Sequence, residues 1–204
     1  TNTKHDLINI DFTKTWKNAN GDLLEDGLPD KIYIQLQRRK TESETWQSVK
    51  YPDANSPEYV MVTPTSKGWD YPFANLDKFD VTDQKNYQYR IVEGTLDDKG
   101  NFTAKDGTIT IKGNTYVVKA KAEAKISDGD STKDTTATVN GGTITGGSGK
   151  IELTNTLQNP KFVLDIIKKD AEKDEHNKDV PLSGVEFKLE KLVETTTTEG
   201  EPQW

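Results

Sequence analysis

The 204-residue sequence has no cysteine, a single methionine and only two histidines. Without thiols there can be no disulfide staple, no thiolate nucleophile and no cysteine-based metal site. Any covalent reinforcement has to come from other side chains. His5 and His176 both sit in polar joints without partners at metal-ligand spacing, which leaves them as surface positions. The acidic stretches NANGDLLEDG and SDGDSTKD lack the ligand order of a calcium loop, and GGTITGGSGK lacks the GKS/T ending of a phosphate loop. No metal and no cofactor is therefore expected. The sequence has no Ser/His or Cys/His arrangement for a hydrolytic nucleophile, and no second acid to work beside the candidate carboxyl found below, so a turnover enzyme is not expected either. No apolar run is long enough for a membrane span and no signal-peptide pattern is visible, so membrane insertion is not expected of this segment. A formal net charge of -7 repels nucleic acid and anionic lipid, which removes both as partners.

What the chain does contain is Thr, Asp, Lys, Asn and Gly, with period-2 alternation and no long helical pattern, so the expected class is all-β. Ile8, Ile10, Phe12 and Trp16 share one strand face; Ile32, Ile34 and Leu36 share another, after the loop NANGDLLEDGLPD. Shorter strands are predicted at Trp46 to Val49, Tyr59 to Val62 and Trp69 to Phe73, with a further one carrying Tyr87, Tyr89 and Ile91. The stretch from Gly94 to Lys150 reads as hairpins (107–111, 115–125 and a Thr/Gly-rich return through Thr143 and Ile144), taken as an insertion or ornate edge. Ile151 to Leu157 closes the set.

One phrase occurs almost twice: TNTKHDLINIDFTKTW at residue 1 and TNTLQNPKFVLDIIKKD at residue 154. The repeat predicts a tandem array. Residues 1–6 then read as the tail of a preceding module and its linker. Residues 7–157 are a complete module with inserted hairpins at about 95–150, 158–160 a linker, and 161–204 the first part of a second module. Strands are expected at Phe162 to Lys168 and Val185 to Leu189, separated by the charged loop KKDAEKDEHNKD. About 45 residues make too few strands to bury two faces, so this last piece is expected to be marginal by itself.

Strand parity also shows which polar residues fall on apolar faces, because residues i, i+2 and i+4 point the same way. Lys14 is in line with Ile8, Ile10, Phe12 and Trp16; Glu93 with Tyr87, Tyr89 and Ile91; Asn155 with Ile151, Leu153 and Leu157. Each alone fits a strand end emerging into solvent, or a buried Lys-Glu pair with an Asn neighbour. Together they supply an amine, a carboxyl and a carboxamide to one interior. Burial disfavours charge, and a neutral lysine amine is a nucleophile. Beside an asparagine carbonyl polarised by a protonated glutamate, it can displace ammonia and leave an amide.

The segments FTKTW (12–16), WDYPFANLDKFD (69–80), YQYRIVEG (87–94) and ELTNTL (152–157) resemble the collagen-adhesin B-type (Cna_B) domain of Gram-positive surface proteins and pilins. IIKKDAEKDEHNKDVPLSGVEFKLEK (166–191) resembles the opening strands of the related pilin-type, prealbumin-like repeat. The resemblance implies an immunoglobulin-like or prealbumin-like β-sandwich, with modules in tandem. It also implies an autocatalytic isopeptide cross-link between Lys14 and Asn155, with Glu93 as the catalytic acid. Lys168 would be the matching lysine of the second module and Asn2 the spent acceptor of the preceding one. The interval between Glu93 and Asn155 is longer than the family's usual spacing. In WQSVKYPDAN (46–55), Asp53 stands where a pilin would carry its polymerising lysine, so this module is not expected to be the one joined to the next subunit.

These features imply a stalk or spacer in an extracellular, cell-wall-anchored adhesin or pilin of a Gram-positive bacterium. Its partners would be neighbouring modules of the same protein. The alternative is an adhesin module that binds host extracellular matrix or another surface protein through residues 94–150. Tyr51 and Tyr59 are candidates for ligand contact or for packing under loops.

Overall fold

The computed structural model describes residues 6–66, 68–126 and 135–158, together with two short strands at 169–173 and 179–181. The chain divides into two compact units, Thr1–Pro160 and Lys161–Trp204. The first unit is an all-β sandwich. Its twelve described strands are β1 (Leu7–Lys17), β2 (Ile32–Arg39), β3 (Gln47–Ser48), β4 (Val60–Val62), β5 (Trp69–Asp77), β6 (Gln88–Leu96), β7 (Phe102–Ala104), β8 (Thr108–Ile111), β9 (Asn114–Ile126), β10 (Thr135–Val139), β11 (Thr143–Thr145) and β12 (Gly149–Leu157).

One sheet runs β10-β9-β12-β1-β5, with β8 also on β9; the other runs β11-β6-β2-β3, with β4 on β2 and β7 on β6. Pairing is antiparallel except where β1 and β12 lie parallel, Phe12 opposite Ile151 and Trp16 opposite Asn155. A parallel pair needs a long crossover. Here the whole remainder of the unit supplies it, so the first and last strands lie side by side in mid-sheet.

β1 shows why the sandwich closes. Its even-numbered residues from Ile8 to Trp16 are all buried, Lys14 among them, while its odd-numbered residues are exposed or half-buried. The matching inward residues of the other sheet are Ile32, Ile34 and Leu36 on β2 and Tyr89, Ile91 and Glu93 on β6. β5 departs from strict alternation. Phe73 and Leu76 both face the core although they stand three positions apart, because the register slips between Ile8 and Ile10, opposite Leu76 and Phe73. Asn75, at the slip, adopts a positive φ of 57° and donates its backbone N–H to Asn9 Oδ1 at 3.0 Å. This is a β-bulge that returns Leu76 to the interior.

The stretch from 94 to 150, expected to be an insertion or ornate edge, supplies β8, β9 and β10 at one side of the first sheet and β11 at the edge of the second, and it contributes to the core as well. β9 pairs with β12 from Tyr116 opposite Leu157 to Ala124 opposite Gly149, and Ile109, Tyr116, Ala122 and Ile144 join the core. The β8–β9 hairpin turns where predicted, at Lys112 and Gly113. GGTITGGSGK is not a hairpin: β11 pairs with β6 in one sheet and β12 with β9 in the other, so the glycine-rich segment carries the chain across the sandwich. Three of its glycines, Gly141, Gly142 and Gly146, have positive φ values, which an L side chain would resist.

In the second unit, β13 (Lys169–Lys173) pairs antiparallel with β14 (Asp179–Pro181). The charged segment expected to be a loop therefore contains a strand. The strands predicted at Phe162 to Lys168 and Val185 to Leu189 lie outside the described residues.

Candidate functional site: a buried amine, carboxyl and carboxamide

Three different strands deliver three polar side chains to one place. Lys14 comes from β1, Asn155 from the adjoining β12, and Glu93 from β6 of the opposite sheet. Lys14 is 6 % exposed, Glu93 1 % and Asn155 0 %. Lys14 Nζ donates to Glu93 Oε2 at 2.6 Å. Asn155 Nδ2 donates to the same oxygen at 2.9 Å. The lysine nitrogen and the carboxamide nitrogen are therefore within 5.5 Å of each other, the sum of the two bonds, with one carboxyl oxygen between them.

The surroundings are dry and aromatic. Lys14 Nζ lies 5.0 Å from the centroid of the Trp16 ring. That ring makes edge contacts with Trp69 at 5.9 Å and Tyr116 at 5.2 Å. Burial pulls the Lys14 amine down to about 8, outweighing the charge and hydrogen bond of Glu93, which act the other way. The 2.6 Å contact is a path along which one proton can move from the amine to the carboxyl.

Two oxygens of the cluster are unused. Glu93 Oε1 and Asn155 Oδ1 are buried without a hydrogen-bond partner among the described residues, and the same holds for Trp16 Nε1. Buried polar groups left unpaired are costly, and several in one cluster mark a site arranged for something other than ground-state stability. Two cavities, of about 220 and 120 Å³, include Glu93 in their linings.

Strand parity had selected Lys14, Glu93 and Asn155, and the fold brings all three together. It did not select Trp16. The signal available was its position two residues after Lys14 on the same face, which also makes it an ordinary core residue. Lys168, Asn2, His5 and His176 lie outside the described residues. Tyr51 packs on Phe73 at 5.0 Å and its hydroxyl accepts the Ala74 N–H at 2.9 Å. Tyr59 stacks on Phe102 at 6.0 Å. Both tyrosines are thus held by packing. Asp53 caps a turn, accepting the Asn55 N–H at 2.9 Å. Among the described residues no group of three or more His, Cys, Asp or Glu side chains could hold a metal ion, and no helix is long and apolar enough to cross a membrane.

The fold and the cluster define the class as a β-sandwich module with an amine, a carboxyl and a carboxamide buried together in its core. The profile of the Cna protein B-type domain matches residues 10–120, and the chain belongs to that family. That membership marks a surface adhesin or pilin-type module: the family is structural rather than catalytic, and its domains occur in extracellular surface proteins. Lys14 and Glu93 fall inside the matched span; Asn155 falls beyond it. No curated protein and no solved structure matches the chain.

Proposed function

We propose that this chain is a stalk or spacer module of a cell-wall-anchored adhesin or pilin of a Gram-positive bacterium, locked by an amide between Lys14 and Asn155. The observation that carries the reading is the sharing of Glu93 Oε2 by the two nitrogens that the reaction must exchange.

The reaction balances within these three groups. Glu93 takes a proton from Lys14, and the freed lone pair on Nζ attacks Asn155 Cγ. Charge passes to Oδ1. Glu93 delivers the proton to Nδ2, the Cγ–Nδ2 bond breaks, ammonia departs and the Cγ–Oδ1 double bond is restored. Glu93 then takes the surplus proton from Nζ. One amide is gained, one ammonia is lost, no oxidant is needed and the buried charge is gone. The protein is altered once and turns nothing over.

The loop so closed spans 141 residues, 155 minus 14. By the chain-entropy treatment of cross-links, closing it adds roughly 5 kcal/mol by restricting the unfolded ensemble. For a thread of modules holding a binding tip away from a cell, the mechanical consequence matters more, and it follows from the parallel pairing of β1 and β12. Intact-mass measurement tests the chemistry: the folded protein should be lighter than its sequence by one ammonia, and its digest should contain the peptides of Lys14 and Asn155 joined. A full theoretical mass rejects the bond.

A further inference from the structure

The two faces that the sandwich turns outward differ in chemistry. On the first sheet, β1 and β12 present short or flexible polar side chains such as Thr13, Thr15, Lys150 and Glu152. On the second, Gln35, Gln37 and Arg39 of β2 alternate with the core residues Ile34 and Leu36 and so point outward, with Arg90 of β6 opposite Gln37 and Gln88 opposite Arg39. Trp46, just before β3, holds both arginines: the guanidinium carbons of Arg39 and Arg90 lie over its ring, 4.4 and 4.5 Å from the centroid. They are therefore within 8.9 Å of each other, the sum of the two distances. Each is fixed by neutral acceptors. Arg39 donates Nε to Gln88 Oε1 at 2.9 Å and Nη1 to the Glu42 carbonyl at 3.0 Å. Arg90 donates Nε to Gln37 Oε1 at 2.8 Å, and Gln37 donates Nε2 to Gln35 Oε1 at 2.7 Å. Nη2 of Arg39 and both Nη groups of Arg90 have no protein acceptor among the described residues. The cations on either side of Arg39 in sequence are matched by acids: Arg38 meets Asp77 at 3.0 Å, and Lys40 meets Asp80 and Asp83 at 3.1 Å each. Among the described residues neither Arg39 nor Arg90 forms an ion pair.

We propose that the outward face of the second sheet around Trp46 is a docking site for an acidic protein segment in extended form, with carboxylates on alternate residues pairing with Arg39 and Arg90. In a chain of net charge -7, two unmatched guanidiniums held against one indole form a local patch of the opposite sign. Burial disfavours the Arg90 charge, Asp106 supports it, and Arg39 disfavours it again; a bound carboxylate relieves the repulsion between the two. Side chains two residues apart on a strand point the same way and stand about 6.6 Å apart, a spacing within reach of both forks. The open Nη groups suit the two-oxygen geometry of a carboxylate. Because Gln37, Gln88 and Trp46 already hold the arginines, little side-chain freedom remains to be lost when the partner arrives. A polyanionic glycan suits the face less well. It draws its affinity from many cations, and here there are two, on a protein whose overall charge repels a polyanion; a protein segment presents two carboxylates among neutral residues.

The test is a nitrogen NMR titration of the isotope-labelled full chain with a short peptide of alternating glutamate and threonine, following the Nε–H signals of Arg39 and Arg90 and the Nε1–H signal of Trp46. The three should move together and saturate, and the twin peptide of glutamine and threonine should move none of them. Arg39→Gln and Arg90→Gln should each weaken binding by about 10-fold or more. Arg39→Lys and Arg90→Lys keep the charge and the apolar stem but lose the fork, so they should weaken binding as well, and they report on recognition even where a glutamine variant unfolds. Lys119→Gln, an exposed cation on the first sheet, should change nothing. Signals that stay still up to the solubility limit of the glutamate peptide overturn the proposal, as do equal shifts with the glutamine twin. Native affinity in both lysine variants overturns it too, for then charge alone attracts the peptide. A heparin-derived tetrasaccharide that saturates the same signals at lower concentration than the peptide overturns the protein partner in favour of an acidic glycan.

Discussion

Lys14 stands opposite Leu153 on a parallel neighbour, so Asn155 follows one pleat further along the same inward face. Because β1 and β12 run the same way, the start of β1 and the end of β12 lie at opposite ends of the pair. Tension applied through residues 7 and 157 would therefore shear the two strands along their length. A Lys14–Asn155 amide sits close to the point where the load leaves, and the path shortens to residues 7–14, one amide and residues 155–157. Everything between 14 and 155 is excluded from that path.

The first prediction concerns pulling. With handles outside β1 and β12, the native protein should give no unfolding step from this module. Lys14→Met, which replaces the amine with an apolar chain of similar length, should give a single step. The chain freed between residues 7 and 157 corresponds to roughly 500–540 Å at 3.3–3.6 Å per residue, less the folded separation of its ends. A step of that size in the native protein would remove the covalent path.

The second concerns pH, and it needs a chain that keeps the buried pair without the amide. Asn155→Ala is such a chain. In the native fold burial holds the Lys14 amine at about 8, against 10.5 when exposed, and the variant should keep that burial. Between those values the unfolded state binds more protons than the folded one, so stability should rise with pH across that window and be flat outside it. Relative to the Lys14→Met/Asn155→Ala double variant, which cancels the other titrations, the gain should be on the order of 3 kcal/mol. Urea unfolding at pH 7, 8, 9 and 10 measures it. A difference that shrinks as pH rises would mean the amine is charged in the fold.

The site was easier to foresee than the sheet that holds it. Lys14, Glu93 and Asn155 could be found because strand parity is binary and each sits in a row of large apolar neighbours. β9 gave no such row. Among residues 114–125 of NTYVVKAKAEAKI, only Tyr116 and Ala122 are fully inside, and an alanine among lysines has little apolar signal. Its role depends on pairing with β12 along nine residues, a long-range fact that local pattern does not carry. The face of Leu76 was hidden by the bulge at Asn75, since one extra residue reverses every parity beyond it. The unpaired N–H of Trp16 lies further still from the sequence, because whether a buried donor has a partner is decided by atoms from other strands.

The last prediction uses the residue next to Glu93. Gly94 is buried at the crossing of β6 and β7, and a Cβ built on it would come within 2.4 Å of both the Thr103 carbonyl oxygen and Phe102 Cζ. The phenyl ring could swing aside, at the expense of its stack on Tyr59. The carbonyl could not, since Thr103 stands in the β6–β7 ladder opposite Thr95. Gly94→Ala must therefore push β7 away or displace β6, at a cost of about 1–3 kcal/mol. Any displacement of β6 moves the Glu93 carboxyl, whose two hydrogen bonds set the geometry of the reaction, so ammonia loss should slow as well. Combining Gly94→Ala with Phe102→Ala separates the two obstacles. If backbone is the limiting contact, the double variant should recover neither stability nor rate. Recovery of both would show that the ring alone requires glycine here, and that β6 is free to hold Glu93 in place without it.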